Sequence, residues 1–323
     1  MQSSARPLVL ERSLSAEETD EILAGLHGQP KKLPCRLLYD AQGAELFDRI
    51  MGLDEYYPTR CELRLLDGCL PAVADDVGVA ARVIEPGSAV DIKTKRLLRT
   101  LDRPAIYIGI DTVRDALEYG AKVLTREHPE LDVHAIVGDF TRPFTLPAVR
   151  RPIGKTLVFF PGSTIGNFDP HAAVALLSRL QQMAGSNGRL LLGADGTRNP
   201  EALLPAYDDS EGVTAELAMN ALVHLNRARA ATFDAAKFRY RATWNEAYSR
   251  VEMQLVSTCE QTVQVGGESI RFRDGEPLVT DYSYKHSPHA MRGILHAAGW
   301  QVRHVFTATE QPMRLWLCEP KSA

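Results

Sequence analysis

From residue 80 onward, short apolar runs alternate with helix-patterned segments, and this alternation limits the fold more than any other feature of the chain. The pattern predicts strands near 81–85, 105–111, 133–138, 156–161 and 188–194, with helices near 93–101, 112–127 and 170–184 between them. Strands joined through helices imply a parallel, doubly wound α/β sheet. Ligands of such sheets bind outside the carboxyl ends of the strands. The first strand and its turn, Val83-Ile84-Glu85-Pro86-Gly87-Ser88-Ala89-Val90-Asp91-Ile92-Lys93-Thr94, are therefore the first place to look for a site. Gly87 permits a sharp turn and a close ligand approach, and the first amides of the next helix face the same crevice.

Three readings of this turn compete. A phosphate-binding P-loop needs Gly directly before Lys-Thr, and Ile92 stands there. A dinucleotide fingerprint needs three spaced glycines, and only Gly87 is present. The third is an S-adenosylmethionine site, with Glu85 ending the strand and Gly87 admitting the ligand. Alone, the turn separates this reading only slightly from a plain strand–helix connection.

The other strand ends add polar groups. Asp111 closes the second strand, where a carboxylate can accept from ribose hydroxyls or cap the following helix. Val137-Gly138-Asp139-Phe140 ends the third. It offers an acceptor and a ring to a purine base, or forms a simple turn. The fourth strand runs into Pro161-Gly162-Ser163-Thr164-Ile165-Gly166-Asn167-Phe168, a loop whose glycines, hydroxyls and amide favour ligand contact.

After Ala194 the pattern changes. A long helix over Val213 to Arg229 is followed by strand-like runs at Phe238 to Trp244, Arg250 to Thr258, Thr262 to Val265 and Ser269 to Arg273, with Gly266-Gly267 as a hairpin turn. A helix over 287–298 and a strand pair, Trp300 to Thr307 and Met313 to Cys318, close the chain. Upstream, Ser15-Ala16-Glu17-Glu18 has capping-box spacing and opens a helix to Leu26, Lys31 to Pro34 reads as a linker, and Ala44 to Met51 reads as a helix. Pro58 places the tyrosine pair Tyr56-Tyr57 on a fixed turn, with helix from Cys61 to Val77. The expected domains are a doubly wound α/β core, 61–196 with 286–323, and an α+β lid that binds substrate, 1–60 with 197–285.

Composition narrows the function. A net charge of −4 argues against a bulk nucleic-acid binder. No apolar run approaches a membrane span, and the first residues lack the apolar core of a secretion signal. The five cysteines are odd in number and irregularly spaced, which reads as free thiols of a cytoplasmic protein. No metal site is expected: His286 and His289 are separated by Pro288 at a helix start.

Four pieces together resemble the L-histidine Nα-methyltransferases of ergothioneine biosynthesis: Glu55-Tyr56-Tyr57-Pro58-Thr59-Arg60, the Glu85…Lys93-Thr94 turn, Phe160 to Asn167, and Ala206-Tyr207-Asp208-Asp209. The resemblance runs from about Leu33 to the C-terminus. It implies a class I S-adenosylmethionine-dependent methyltransferase with a Rossmann-like sheet, converting free histidine to its trimethylbetaine, hercynine. It further implies that Glu85, Gly87, Lys93, Asp111, Asp139 and Phe140 line the S-adenosylmethionine site. Tyr39, Tyr56, Asn167 and Tyr207 would hold the amino and carboxylate groups of the amino acid. Asp281 and Ser283 would reach the imidazole, with Met253 packed against it. No dedicated general base is identified, and a monomer is expected. The chain departs from the family at two places: Gly87-Ser88-Ala89 stands where Gly-Ser-Gly is usual, and Asp281 where Glu is usual. Methylation of another amino acid or small amine, or a catalytically weak member of the fold, are the alternatives.

Overall fold

The computed structural model describes residues 16–88, 90–142, 144–148, 151–309 and 312–321. Ser15 and Ala89 lie outside the described residues. The chain divides into two compact units, one of Pro58–Thr197 with His286–Ala323, the other of residues 16–57 with Arg198–Lys285.

The first unit is built on a seven-stranded sheet. Its order is Trp300–Thr307, Met313–Pro320, Arg189–Asp195, Thr156–Phe160, Arg82–Pro86, Ile106–Asp111 and Asp132–Val137. Five strands pair in parallel, and Met313–Pro320 runs antiparallel to both neighbours. Each of the five expected strands lies within two residues of its place. Their side chains alternate between faces because the pleat has a period of two. Val83, Tyr107, Leu157, Phe159 and Leu191 bury one face under Leu66, Leu70, Val73, Leu97, Leu117 and Leu124. Val158, Phe160, Leu190 and Leu192 bury the other under Leu176, Leu177, Leu180, Ile294 and Leu295. Each such buried side chain contributes roughly 1.5–3 kcal/mol, so both faces are covered, as a parallel sheet requires.

The strand order reverses between Arg82–Pro86 and Thr156–Phe160, with Ile84 opposite Val158. The carboxyl ends of these two strands carry the Glu85–Gly87 turn and the loop to Asn167. The helix after the first turn, Ile92–Thr100, is fixed by Asp91, whose side chain accepts from the amides of Lys93 and Thr94.

One helix corrects the sequence reading. It starts at Tyr57 and runs to Val77, so Pro58 sits in its first turn rather than ahead of it. Proline is tolerated there because its missing N–H would have no helical partner. Tyr56 and Tyr57 are buried, at 8% and 7% exposure, and Tyr57 belongs to the helix and not to a turn ahead of it.

The second unit has a four-stranded sheet in the order Lys31–Lys32, Pro277–Tyr284, Arg250–Ser257 and Phe238–Asn245. A hairpin, Gln261–Val265 and Glu268–Phe272, turns at Gly266-Gly267, both with positive φ. Helices Ala16–His27, Ala41–Gly52, Pro200–Tyr207 and Val213–Arg229 complete it. Lys31-Lys32, read as linker, is a strand parallel to Leu278 and Val279. Two residues are too few to show alternation. The edge is held instead by Leu33 N donating to Val279 O at 2.8 Å and by Lys31 Nζ at 2.7 Å from Glu276 Oε1. The helix Pro200–Tyr207 was not expected, although Asn199 before Pro200 is a helix-start signal, and Asn199 accepts from Glu201 N.

Candidate active site

In the first unit, the expected methyl-donor residues gather at the switch in strand order. Glu85 is 3% exposed. The Thr94 hydroxyl donates to both of its carboxylate oxygens at 2.8 Å, and the Tyr107 hydroxyl donates to Oε2. Since Tyr107 spends its proton there, Ser88 donates to Tyr107. Burial, with Asp91 nearby, pushes the Glu85 carboxyl up to about 8. The carboxyl group is thus held by the hydroxyls of Thr94 in its helix and Tyr107 on the adjacent strand, with Ser88 of its own turn backing Tyr107.

Gly87 has φ +71°, and a Cβ there would lie 3.4 Å from Phe140 Cε1. A side chain at this position would be strained by that φ and would touch the ring. Phe140 packs edge-on against Phe160 and Phe168, with centroids 5.9 and 6.3 Å away. Asp111 Oδ1 accepts from Val113 N at 2.8 Å, which ties the turn before helix Arg114–Glu127. Part of Asp111 stays open to solvent, yet burial around its carboxyl pushes the group up to about 6. Asp139 Oδ1 accepts from Thr141 N at 2.8 Å, and its other oxygen lies 3.6 Å from Arg142 Nε. A glycine cradle bounded by an aromatic ring, with acids ending three adjacent strands, suits a ligand bearing ribose, purine and ammonium groups. These residues fit S-adenosylmethionine.

Lys93 is placed less directly. Its Nζ lies 3.0 Å from Glu62 Oε2. Burial works against its charge, but Glu62 and Asp91 hold the group above its ordinary value. Glu62 is fully buried and accepts from Gly162 N through both oxygens, at 2.9 and 2.8 Å. Lys93 therefore ties the first turn to the loop after the fourth strand. Glu62 was not foreseen, because an acid at the second residue of the expected helix reads as a solvated face. That loop is further shaped by Ser163, which has φ +56° and accepts from Asp195 N at 3.0 Å. Asn167 ends the short helical turn Thr164–Asn167.

In the second unit, the remaining expected residues come together. Tyr39, Phe47, Tyr56 and Tyr207 form a run of edge-on aromatic contacts, with successive centroids 5.8, 6.2 and 6.2 Å apart. Asp40 fixes the approach to Tyr39. It caps the next helix through Gly43 N and accepts from Asn220 Nδ2 at 2.8 Å and from Arg227. Asp209 accepts from Val213 N and Thr214 N, both at 2.8 Å, and so starts the long helix. Tyr207-Asp208-Asp209 is thus one device: Asp209 anchors the chain, and Tyr207 reaches the neighbouring sheet.

That sheet carries Asp281 opposite Met253 and Ser283 opposite Val251, just after a bulge between Val279 and Asp281. Bulges re-aim side chains beside sites. Asp281 accepts from Tyr282 N at 2.8 Å, and burial pushes its carboxyl up to about 7. The Tyr207 and Ser283 hydroxyls are 2.9 Å apart. Tyr240 donates to the Tyr207 carbonyl. Lys285, fully buried, donates to the Tyr207 hydroxyl at 2.6 Å. Lys285 and Phe47 were missed. Lys285 was legible: it falls on the same alternation, two residues beyond Ser283.

A sheet with this order, an acid–glycine turn after its first strand and a second acid after the next is that of a class I methyltransferase. The chain belongs to the family of histidine-specific, S-adenosylmethionine-dependent methyltransferases, whose model matches residues 18–320. It is 37% identical over 86% of its length to a histidine N-alpha-methyltransferase of Mycobacterium tuberculosis, covering 87% of that protein. It is 35% identical to the histidine N-alpha-methyltransferase of Mycolicibacterium smegmatis, over 93% of this chain and 95% of that one. A 4-dimethylallyltryptophan N-methyltransferase of Aspergillus fumigatus is 27% identical over 96% of both. The protein is accordingly an S-adenosylmethionine-dependent methyltransferase. Among the described residues, no helix is long and apolar enough to cross a membrane.

Proposed function

We propose that this enzyme methylates the α-amino group of free L-histidine and carries the product to the trimethylated betaine, hercynine, in the cytoplasm and as a monomer. The observation that carries the reading is the single strand face bearing Asp281 and Ser283, with Tyr207 hydrogen-bonded to Ser283. An imidazole has one ring N–H and one lone pair when neutral. A buried carboxylate and a hydroxyl meet those two needs, and a side chain that cannot complete both leaves a costly unpaired group. Met253, opposite Asp281, supplies the apolar wall.

S-adenosylmethionine, when bound, supplies a methyl group on an electron-poor sulfonium. Glu85, Gly87, Lys93, Asp111, Asp139 and Phe140 are the residues proposed to hold it. Tyr39, Tyr56, Asn167 and Tyr207 are proposed to hold the amino and carboxylate groups of histidine. The amine must lose a proton to bulk solvent before it attacks. Asn167 Oδ1 and the tyrosine hydroxyls then orient its lone pair while allowing it to turn between successive methylations. Positioning and exclusion of water supply the acceleration, and no dedicated base is required. In this division of labour, 61–196 with 286–323 serves the donor, and 1–60 with 197–285 serves the amino acid.

A second reading is methylation of a different amino acid or small amine. Asp281, one methylene shorter than the family's usual Glu, favours it. Kinetics of Asp281→Ala distinguish the two. Histidine KM rises at least about tenfold, a loss of about 1.4 kcal/mol, while any accepted apolar amino acid is less affected. An unchanged preference for histidine contradicts the assignment.

A further inference from the structure

Lys285 has no part in the proposed scheme, yet it is among the largest fully buried side chains of the molecule. A buried ammonium is costly unless its donors are used. One of them goes to a hydroxyl: Nζ donates to Tyr207 Oη at 2.6 Å. Lysine has no acceptor, so the direction of this bond is fixed. The ammonium repels the tyrosine proton, which turns away from it. Ser283 Oγ, 2.9 Å from Tyr207 Oη, is the acceptor that stands there. Ser283 then accepts from Tyr207 and has its own single proton left to give. Hydrogen bonds in such a chain strengthen one another when all point the same way.

We propose that Lys285 is a positioning residue that sets the polarity of the Tyr207–Ser283 pair, so that Ser283 presents a proton and selects an unprotonated ring nitrogen of the substrate side chain. This rests on the histidine reading above. Asp281, on the same strand face, accepts from the other nitrogen. The two residues then bind the neutral ring in one tautomer and discriminate against the imidazolium, whose second N–H would meet a donor. The backbone of Lys285 is itself tied down, its amide donating to Ser249 O at 2.7 Å, so the side chain starts from a fixed point.

The test is nitrogen NMR of ring-15N histidine bound to the protein with S-adenosylhomocysteine, in the unmodified enzyme and in Lys285→Met. The expected spectrum of the unmodified enzyme has one protonated and one unprotonated ring nitrogen. In Lys285→Met the two nitrogens are expected to move toward averaged or doubly protonated values. A double-mutant cycle supplies a second readout. Lys285→Met should raise histidine KM about tenfold alone and add little in a Tyr207→Phe background, because the residue acts through that hydroxyl. If Lys285→Met fails to fold, Tyr207→Phe and Ser283→Ala provide the same spectra. Two protonated nitrogens in the unmodified enzyme overturn the inference while leaving the histidine reading intact. So does a Lys285→Met effect that simply adds to that of Tyr207→Phe. Absence of any bound histidine contradicts the histidine reading, and this inference with it.

Discussion

Two buried carboxylates, one in each unit, are held in opposite ways. Glu85 in the first unit receives the Thr94 and Tyr107 hydroxyls. Asp281 in the second sits beyond a bulge and accepts from the amide of its own neighbour. Burial raises both, to about 8 and about 7. The first acid is a structural knot that shapes a turn around a ligand. The second is aimed, by a local irregularity in its strand, at whatever the unit recognises. The same chemical group therefore builds the site in one place and reads the substrate in the other.

Substitution at Glu85 should break the comparison most severely. Glu85→Ala leaves two buried hydroxyls without their acceptor, a cost of roughly 2–6 kcal/mol at 1–3 per orphaned group. Denaturant melts should show that loss, together with loss of S-adenosylmethionine binding. Asp281→Ala, in the same melts, should cost much less. Equal destabilisation would erase the distinction.

Asn167→Ala should lower histidine turnover about a hundredfold, the scale of a small misplacement at the reacting centre. Calorimetry should find S-adenosylmethionine affinity nearly unchanged. If that affinity collapses instead, Asn167 is a structural residue of the loop after the fourth strand.

Asp111→Ala sharpens the donor side. Removing a charged acceptor should weaken S-adenosylmethionine binding by roughly 1.5–3 kcal/mol, as measured by calorimetry. Unchanged affinity would place the ribose elsewhere and leave Asp111 as the tie to Val113.

These expectations rest unevenly on what the sequence revealed. The sheet of the first unit was legible because each strand is a continuous apolar run closed by an acid or a turn, and because the strands and helices alternate. The site residues at strand ends followed from that. Features depending on residues distant in sequence were not legible. Glu62 meets Gly162 across 100 residues, and Lys31-Lys32 meets Leu278-Val279. The Tyr57 helix start was missed for a local reason: proline was weighed as a breaker of the preceding residue and not as a first-turn residue. Lys285 was missed because a lysine at a strand end reads as a surface group, although its place in the alternation with Asp281 and Ser283 argued otherwise.

The smallest expected effect is on the pH dependence of stability. Burial pushes the carboxyls of Asp111, Asp281 and Glu85 up to about 6, 7 and 8 in the folded protein, from ordinary values of 3.8, 3.8 and 4.5. A carboxyl with a raised folded value takes up protons on folding. Its contribution is full below the ordinary value and is lost as pH rises through the folded one. Ligand-free protein should therefore lose stability from these groups between about pH 4 and 8. Asp281→Asn should flatten that decline near neutrality, and thermal melts across the range would show it. A slope unaltered by Asp281→Asn would mean that Asp281 ionises freely in the folded state.

The most direct measurement is incubation of the protein with methyl-labelled S-adenosylmethionine and a panel of free amino acids, followed by mass spectrometry. The expected result is a gain of three labelled methyl groups on histidine and none on the others. Transfer confined to another amino acid, or S-adenosylmethionine binding with no transfer to any, would contradict the histidine assignment.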